Sequence, residues 1–283
     1  MNIKKRIVLL CVSFFMGSLC FAQSILDSNV LSKVLSSVFE IVVEKPGEGN
    51  LEYEKDLPFS RVAFSIRNDK YLPLGTAFLM DDGRFFSAAH VFMLSQKTVY
   101  NDYFLRDNNG NLYKIDKITS FSTNRDFICF TVENFQPKSG SGLSKAEAIE
   151  MNTQVYSVGN ALGDGIVIRN GVLTSQTYET ENGEWKWLRF SAAASPGNSG
   201  GPLITAEGKL LGIITMKSEN ENLNYALPFE EINAIEPNLG LVTTSFYYTL
   251  PNIFSEKFYH KYSAEVELPL SLKEVQTQLT EGL

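Results

Sequence analysis

The stretch Gly197-Asn198-Ser199-Gly200-Gly201-Pro202 places one serine among three glycines. Glycine has no Cβ and adopts positive φ angles readily, so the backbone can turn sharply here and a carbonyl group can approach it closely. On such a turn the Ser199 hydroxyl is exposed, and the N–H groups of Gly197 and Ser199 can bind a negatively charged oxygen. Gly197, Asn198 and Ser199 therefore form a predicted oxyanion hole around a candidate nucleophile, which requires a base.

Only two histidines are present in the chain, so the candidates for this base are few. His90 lies near the end of an apolar, strand-like run, residues 84–91, in which small residues precede the histidine. His260 lies in an aromatic and polar stretch with no glycine turn or carboxylate pattern beside it. His90 is therefore the predicted base. Asp126, which directly precedes the apolar run 127–130, is the predicted carboxylate that orients the imidazole.

The order of these three candidates along the chain indicates a family. His90, Asp126 and Ser199 follow one another at separations of 36 and 73 residues, whereas other serine hydrolases place the same roles in different orders. The chain resembles the trypsin-like (chymotrypsin-fold) serine peptidases, and within them the bacterial HtrA-type branch. Four further segments resemble that branch: residues 75–80, 158–163, 211–215 and 224–228. The resemblance covers roughly residues 58–235.

The resemblance implies an all-β fold of two six-stranded antiparallel β-barrels, with the active site in the cleft between them. It also implies a serine endopeptidase that cleaves peptide bonds by acyl transfer, with His90 and Asp126 on the first barrel and Ser199 on the second. Its partners would be protein or peptide substrates, it would need no cofactor, and a homo-oligomer is among the expected assemblies because trimers are common in this branch. Two alternatives stay open: a catalytically silent or conditionally active peptidase-fold binding module, and an esterase.

The resemblance also indicates a primary specificity pocket. In trypsin-like peptidases the residue six positions before the nucleophile forms the floor of this pocket, and here that residue is Ala193. The predicted walls are Thr215, Met216, Lys217, Tyr225 and Ala226. Because Ala193 has no charge that could pair with a buried cation, we expect small or medium apolar residues before the scissile bond. A second interpretation is that Lys217 at the rim favours an acidic residue.

Length and composition agree with one large β-rich unit, since 44% of the 283 residues are hydrophobic and 20% are charged. The predicted organisation is a signal peptide over 1–22, an N-terminal extension with a short amphipathic helix over 23–57, a first barrel over 58–135, a crossover over 136–152, a second barrel over 153–235 and a C-terminal extension over 236–283. The last segment is too short for the PDZ module of many HtrA-type relatives. We expect it to cover a barrel face.

The N-terminus has the pattern of a secretory signal peptide. Three basic residues at positions 4–6 precede an apolar run over 7–15, and small residues lead to Ala22, so cleavage would leave Gln23 first. We therefore expect an exported protein, either periplasmic or secreted. The short apolar run disfavours a retained membrane anchor. The leucine directly before Cys20 disfavours a lipoprotein anchored at that cysteine.

Composition also argues against several partners. Removal of residues 1–22 takes away three basic and no acidic residues, leaving 22 basic against 32 acidic residues and a formal net charge of −10. Such a protein repels phosphate backbones, so nucleic acid is not an expected partner. The mature chain has one cysteine, Cys129, which we interpret as a small buried apolar residue. It has no zinc ligand set, and residues 107–111 fit a hairpin turn better than a calcium loop.

Overall fold

The structure is a computed structural model that describes residues 26–45, 69–94, 96, 98–180, 183–217, 222–234, 239–250 and 254–280. The predicted signal peptide, residues 1–22, lies outside these ranges. Within them, no helix is both long and apolar enough to cross a membrane. Two antiparallel β-barrels account for most of the described chain.

A short helix precedes the first barrel. This helix, α1 (Ser28–Ser37), begins behind Asp27, whose carboxylate accepts a hydrogen bond from Asn29 N at 2.8 Å and so caps the first turn. Its Val34 side chain is fully buried in a hydrophobic core to which both barrels contribute. The predicted N-terminal helix is therefore confirmed.

Six strands form the first barrel: β1 (Val38–Glu44), β2 (Tyr71–Leu79), β3 (Phe85–Ser87), β4 (Tyr103–Arg106), β5 (Leu112–Ser122) and β6 (Phe127–Val132). The order β5-β4-β1-β2-β3-β6 closes through pairing of β5 with β6, and all pairs are antiparallel. In β4, the alternate residues Tyr103 and Leu105 are buried in the core, as the two-residue repeat of a strand requires. The predicted hairpin at Gly110, which has a φ of +83°, joins β4 to β5.

Strand β1 corrects the predicted domain boundary. The sequence analysis began the first barrel at residue 58, yet β1 pairs with both β2 and β4 and is an integral strand of that barrel. Ile41 and Val43 belong to the first-barrel core, whereas Val38 belongs to the core shared with the second barrel. Because both faces of β1 are covered, residues 38–43 are all buried, and apart from Glu40 they are apolar without the alternation that indicates a barrel strand.

The second barrel also has six strands: β7 (Gln154–Asn160), β8 (Ile166–Tyr178), β9 (Lys186–Phe190), β10 (Pro202–Thr205), β11 (Leu210–Lys217) and β12 (Asn224–Pro228). The closed order is β10-β11-β12-β9-β8-β7, and again every pair is antiparallel. Short 3₁₀ helices lie at Ala89–Phe92, Ala161–Gly163 and Phe229–Ala234. The predicted fold class, two six-stranded antiparallel barrels, is confirmed.

The C-terminal extension contains four elements. Strands β13 (Leu239–Leu250) and β14 (Phe254–Glu265) pair with each other, β15 (Leu270–Ser271) pairs with β5 of the first barrel, and helix α2 (Leu272–Thr280) follows. Val266, Val275 and Leu279 are buried in the first-barrel core. Residues 266–280 thus complete the first barrel rather than form a separate module. Cys129 on β6 is also buried, as expected.

Candidate active site

The three candidate catalytic residues come from both barrels. His90 lies in a short 3₁₀ helix just after β3, and Asp126 directly precedes β6. These strands are antiparallel neighbours, with Ser87 opposite Ile128, so the end of one and the start of the other meet at the same edge of the barrel. Ser199 lies in the loop between β9 and β10 of the second barrel.

Asp126 holds His90 by two hydrogen bonds. Its Oδ2 lies 2.7 Å from His90 Nδ1, and its Oδ1 accepts a hydrogen bond from the His90 backbone N–H at 2.9 Å. With Nδ1 bonded to the carboxylate, Nε2 is the ring nitrogen left to accept a proton. Asp126 has a φ of +58°, a left-handed conformation that aspartate adopts more readily than most residues. Among the described residues, no three His, Cys, Asp or Glu side chains are grouped closely enough to hold a metal ion.

The pKa of His90 reflects two opposing effects. Partial burial of the ring disfavours its charged form, whereas the hydrogen bond to Asp126 and the charge of that carboxylate favour it. The two effects of Asp126 outweigh burial, so the pKa of His90 is raised above its ordinary value of 6.5. The His90 side chain is 48% exposed, which leaves the ring accessible.

Hydrogen bonds to backbone carbonyl groups hold the loop that carries Ser199. Pro196 O accepts a hydrogen bond from Leu162 N at 2.7 Å. In a trans peptide the carbonyl and the following N–H point in opposite directions, so the Gly197 N–H faces away from Leu162. Gly197 has a φ of +97°, and this explains why a residue without a side chain is needed here.

The same peptide geometry orients the N–H of Ser199. Asn198 O accepts a hydrogen bond from Gly201 N at 2.9 Å, so the Ser199 N–H points away from Gly201. Within the described part of the chain, neither the Gly197 N–H nor the Ser199 N–H donates a hydrogen bond. Two backbone donors beside the serine are therefore left for an external acceptor. This is what an oxyanion hole requires.

Ser199 and His90 are not hydrogen-bonded to each other in this structure. The only hydrogen bond of Ser199 Oγ among the described residues is to Thr215 O, at 3.5 Å. The serine loop nevertheless packs against the His90 helix through Gly75. A Cβ added to Gly75 would lie 2.7 Å from a methyl group of Val91 and 3.0 Å from Ser199 O, so the two segments meet closely there.

The structure brings together part of the predicted specificity pocket. Ala193 is exposed, and its carbonyl accepts a hydrogen bond from Ser157 Oγ at 2.8 Å. Thr215 lies beside the serine, and its Oγ1 donates to Tyr225 O at 3.5 Å. Thr215 and Tyr225 are thus adjacent, as two walls of one pocket should be.

Three other predicted pocket residues are less directly placed. Ala226 is fully buried in the core of the second barrel, so only its backbone is left for contact with a substrate. Met216 and Lys217 end β11, and their side chains lie outside the described part of the structure.

Arg169 on β8, which carries no motif and was not predicted, donates from Nη1 to Ser195 Oγ at 3.1 Å. It places a positive charge next to the serine loop.

A cavity of about 300 Å³ opens beside Gly197. The apolar residues of its lining are Leu72, Pro73, Leu74, Leu162 and Pro196. Leu162 is 64% exposed, and its backbone has a φ of +61°, which is costly for a leucine. The cavity is therefore a candidate contact surface for a bound peptide that has a carbonyl group near Gly197.

Thr76 on β2 is a site residue that sequence reasoning did not single out. Its Oγ1 donates to Gly197 O at 2.7 Å, and its N–H donates to Ser199 O at 2.9 Å. The signal that could have found it is its place in segment 75–80, which resembles the HtrA-type branch.

Gln276 on α2 is a second such residue. Its Nε2 donates to Phe92 O at 2.9 Å, at the end of the 3₁₀ helix that carries His90. The Gln276 side chain is buried. Because 184 residues separate Gln276 from Phe92, no local sequence pattern links them.

The fold and the site together define a class of protein, the trypsin-like peptidases. This class has two six-stranded antiparallel barrels, with a histidine and aspartate pair on the first and a serine in a glycine-rich loop of the second. Residues 75–213 match the family model of the trypsin-like peptidase domain. The chain therefore contains a peptidase domain of the trypsin-like family, as the sequence resemblance predicted.

Its curated relatives include proteases of the HtrA type. The chain is 31% identical over 134 residues to the serine protease Do-like HtrB of Bacillus subtilis. The aligned region covers 44% of this chain and 29% of that protein. It is 24% identical over 232 residues to a probable periplasmic serine endoprotease, DegP-like, of Buchnera aphidicola. This aligned region covers 73% of this chain and 47% of that protein. The chain thus spans less than half the length of these relatives.

Solved structures show the same fold. The Rv3671c protease from M. tuberculosis in its active form superposes with a TM-score of 0.55 and 18% sequence identity, covering 75% of this chain and 84% of that one. At this level of identity the likeness supports the fold and not a particular activity.

The raised pKa of His90 leads to a pH prediction. Only the neutral imidazole can accept the proton of Ser199, so the rate at which a fluorophosphonate modifies Ser199 should rise with pH through a single ionisation above pH 6.5. Asp126→Asn removes the charge that raises this pKa, so the midpoint should shift to lower pH while the maximal rate falls. His260→Ala is the control and should match the wild type. A wild-type midpoint at or below 6.5 would contradict the prediction.

Proposed function

We propose that the chain is a serine endopeptidase that hydrolyses peptide bonds by acyl transfer through Ser199, His90 and Asp126. Two observations carry the proposal together. Asp126 holds both the imidazole and the backbone of His90, and two N–H donors beside Ser199 have no partner among the described residues. A binding site alone would have no need of a base with an oriented ring next to a serine flanked by unused donors.

In the proposed reaction His90 Nε2 takes the proton of Ser199 Oγ as this oxygen attacks the substrate carbonyl. The carbonyl oxygen becomes negatively charged and accepts hydrogen bonds from the N–H groups of Gly197 and Ser199. Asp126 stabilises the imidazolium and keeps its Nδ1 proton in place. His90 then protonates the leaving amine, and the acyl-enzyme is hydrolysed by a water molecule that the same histidine deprotonates.

One side-chain movement has to precede this chemistry. Ser199 Oγ is bonded to Thr215 O at 3.5 Å, a weak hydrogen bond at the limit of useful distance. We propose that rotation about the Cα–Cβ bond of Ser199 turns the hydroxyl toward His90; among the described residues this movement breaks no hydrogen bond of Ser199 Oγ except the one to Thr215 O. Catalytic hydrogen bonds are often absent or long before the substrate arrives.

The same observation favours a second candidate function. A peptidase-fold binding module, silent or active only under certain conditions, would keep its serine without a hydrogen bond to the histidine, and here Ser199 Oγ is bonded to Thr215 O instead. The two candidates differ in one measurable property. The proposed endopeptidase reacts covalently with a fluorophosphonate at Ser199 without any trigger, whereas the binding module does not.

Substitutions of the three residues test the endopeptidase directly. Ser199→Ala and His90→Ala should each lower kcat/KM on an unbiased peptide mixture by about 10⁴-fold or more, and the double variant should be scarcely worse, because the groups act as one unit. Asp126→Asn should stay folded and lose about 10⁴-fold, since it favours the wrong imidazole tautomer. Cleavage is measured by mass spectrometry, with circular dichroism for folding. Full activity of folded Ser199→Ala would exclude the proposed reaction.

We further propose that the enzyme prefers small or medium apolar residues before the scissile bond. Ala193, the proposed floor of the pocket, cannot neutralise a buried cation. Arg169 argues further against a basic residue, because its guanidinium is bonded to Ser195 and adds positive charge near that floor. An acidic residue recruited by Lys217 is the minority alternative.

The cleavage profile of a peptide library distinguishes these preferences. We expect valine, alanine, isoleucine or leucine before most cuts and almost none after arginine or lysine. Replacing Ala193 with Asp should shift cleavage toward the basic residues, because a carboxylate in the floor would pair with them. Efficient cleavage after arginine by the wild type would rule out both the apolar and the acidic preference.

We also propose that the protein is exported after removal of residues 1–22. The sequence pattern of this segment and the periplasmic character of the DegP-like relative support the proposal. N-terminal sequencing of protein from the producing cells should begin at or within a few residues of Gln23. An intact Met1 terminus in the cytosolic fraction would contradict it.

A further inference from the structure

We propose that Thr76 is a positioning residue that sets the relative orientation of the two oxyanion-hole donors. This inference rests on the proposed function. Thr76 is fully buried on β2 of the first barrel, and each of its polar atoms is used. Its N–H and Oγ1 bind the serine loop of the second barrel, and its carbonyl accepts a hydrogen bond from Ser87 Oγ at 2.7 Å.

The direction of the Thr76 hydroxyl proton follows from its neighbours. Asn160 N donates to Thr76 Oγ1 at 2.9 Å, so the oxygen is the acceptor in that bond. The hydroxyl has a single proton, which is therefore directed at Gly197 O, 2.7 Å away. No other described residue donates to Gly197 O. Orientation of this carbonyl thus depends on the Thr76 hydroxyl and on the bond that Asn198 N, at the other end of the same peptide, donates to Ser195 O at 3.0 Å.

That carbonyl belongs to the peptide that connects the two donors. The peptide from 196 to 197 carries the Gly197 N–H and is held by Leu162 N, and the peptide from 198 to 199 carries the Ser199 N–H and is held by Gly201 N. The peptide between them, from 197 to 198, is held at its N–H by Ser195 O, a bond within the loop, and at its carbonyl by Thr76 Oγ1 of the first barrel. Without the Thr76 bond this peptide has no partner outside the loop among the described residues, so its orientation relative to the first barrel is less restrained, and glycine at 197 permits it to shift.

Tight packing prevents water from replacing the hydroxyl. A Cβ added to Gly159 would lie 2.8 Å from Thr76 Oγ1, and one added to Gly201 would lie 3.2 Å from Thr76 Cγ2. Both glycines thus leave only enough room for the threonine itself. Replacing Thr76 with valine, which has the same shape, would leave the buried Asn160 N–H and the partly buried Gly197 O without these partners.

A matched pair of substitutions tests the proposal. Thr76→Val removes the hydroxyl and keeps the shape. We expect kcat to fall about 10- to 100-fold, an effect no larger than that of removing one oxyanion donor. KM should change by less than about threefold. Thr76→Ser keeps the hydroxyl and should stay within about threefold of the wild-type kcat. A peptidyl trifluoromethyl ketone, whose adduct places a negative oxygen in the hole, should bind Thr76→Val more weakly by the same factor as kcat falls.

Ser87→Ala is the structural control. It removes a buried hydrogen bond to Thr76 O but leaves the hydroxyl contacts in place, so it should lower the melting temperature without changing kcat or inhibitor affinity. If Thr76→Val does not fold, Thr76→Ala is measured in its place and should show the same loss of kcat.

The outcomes separate this inference from the proposed function. A wild type that neither cleaves peptides nor reacts with a fluorophosphonate would refute the proposed function and this inference with it. A reactive wild type whose folded Thr76→Val protein, or Thr76→Ala in its place, retains wild-type kcat and inhibitor affinity would refute only the role of Thr76. A loss in Ser87→Ala as large as in Thr76→Val would show general loosening and would also overturn it.

Discussion

The site depends on the attachment of the serine loop of one barrel to a strand of the other. His90 and Asp126 belong to the first barrel and Ser199 to the second, so their geometry is only as precise as the contact between barrels. Besides the hydrophobic core that both barrels share, Thr76 provides a polar contact through hydrogen bonds from its N–H and Oγ1 to the loop. Thr76 is fully buried, and an unmade hydrogen bond at a buried residue is costly, so the loop is favoured in this position.

The glycines of the loop make this close approach sterically feasible. A Cβ on Gly200 would lie 2.1 Å from Ser87 Oγ and 2.3 Å from Thr76 O, and the residue has a φ of +83° that side chains disfavour. The stretch that indicates a nucleophile is thus also the stretch on which barrel docking depends. The turn that presents the serine and the close packing between the barrels both require glycine at position 200, so the local sequence pattern is a strong indication of the serine loop.

The His90 side of the site has support from the far end of the chain. Helix α2 places Val275 and Leu279 in the first-barrel core and bonds Gln276 to Phe92 O next to the His90 turn. The sequence predicted an extension that covers a barrel face but did not predict this contact. Contacts between segments that are distant in the chain produce no repeating pattern in the sequence. The start of the first barrel was placed after β1 for a related reason, since burial on both faces removes the alternation of a barrel strand.

Sequence alone determined the family, the two-barrel fold and the candidate triad of His90, Asp126 and Ser199. It could do so because each residue sits beside a local pattern, an apolar strand or a glycine turn, that short-range sterics impose. Only the tertiary structure decided how the donors of the proposed oxyanion hole are oriented and that Thr76 binds the peptide between them. These features depend on hydrogen bonds between segments more than 100 residues apart, such as the 121 residues between Thr76 and Gly197, and folding alone brings such segments together.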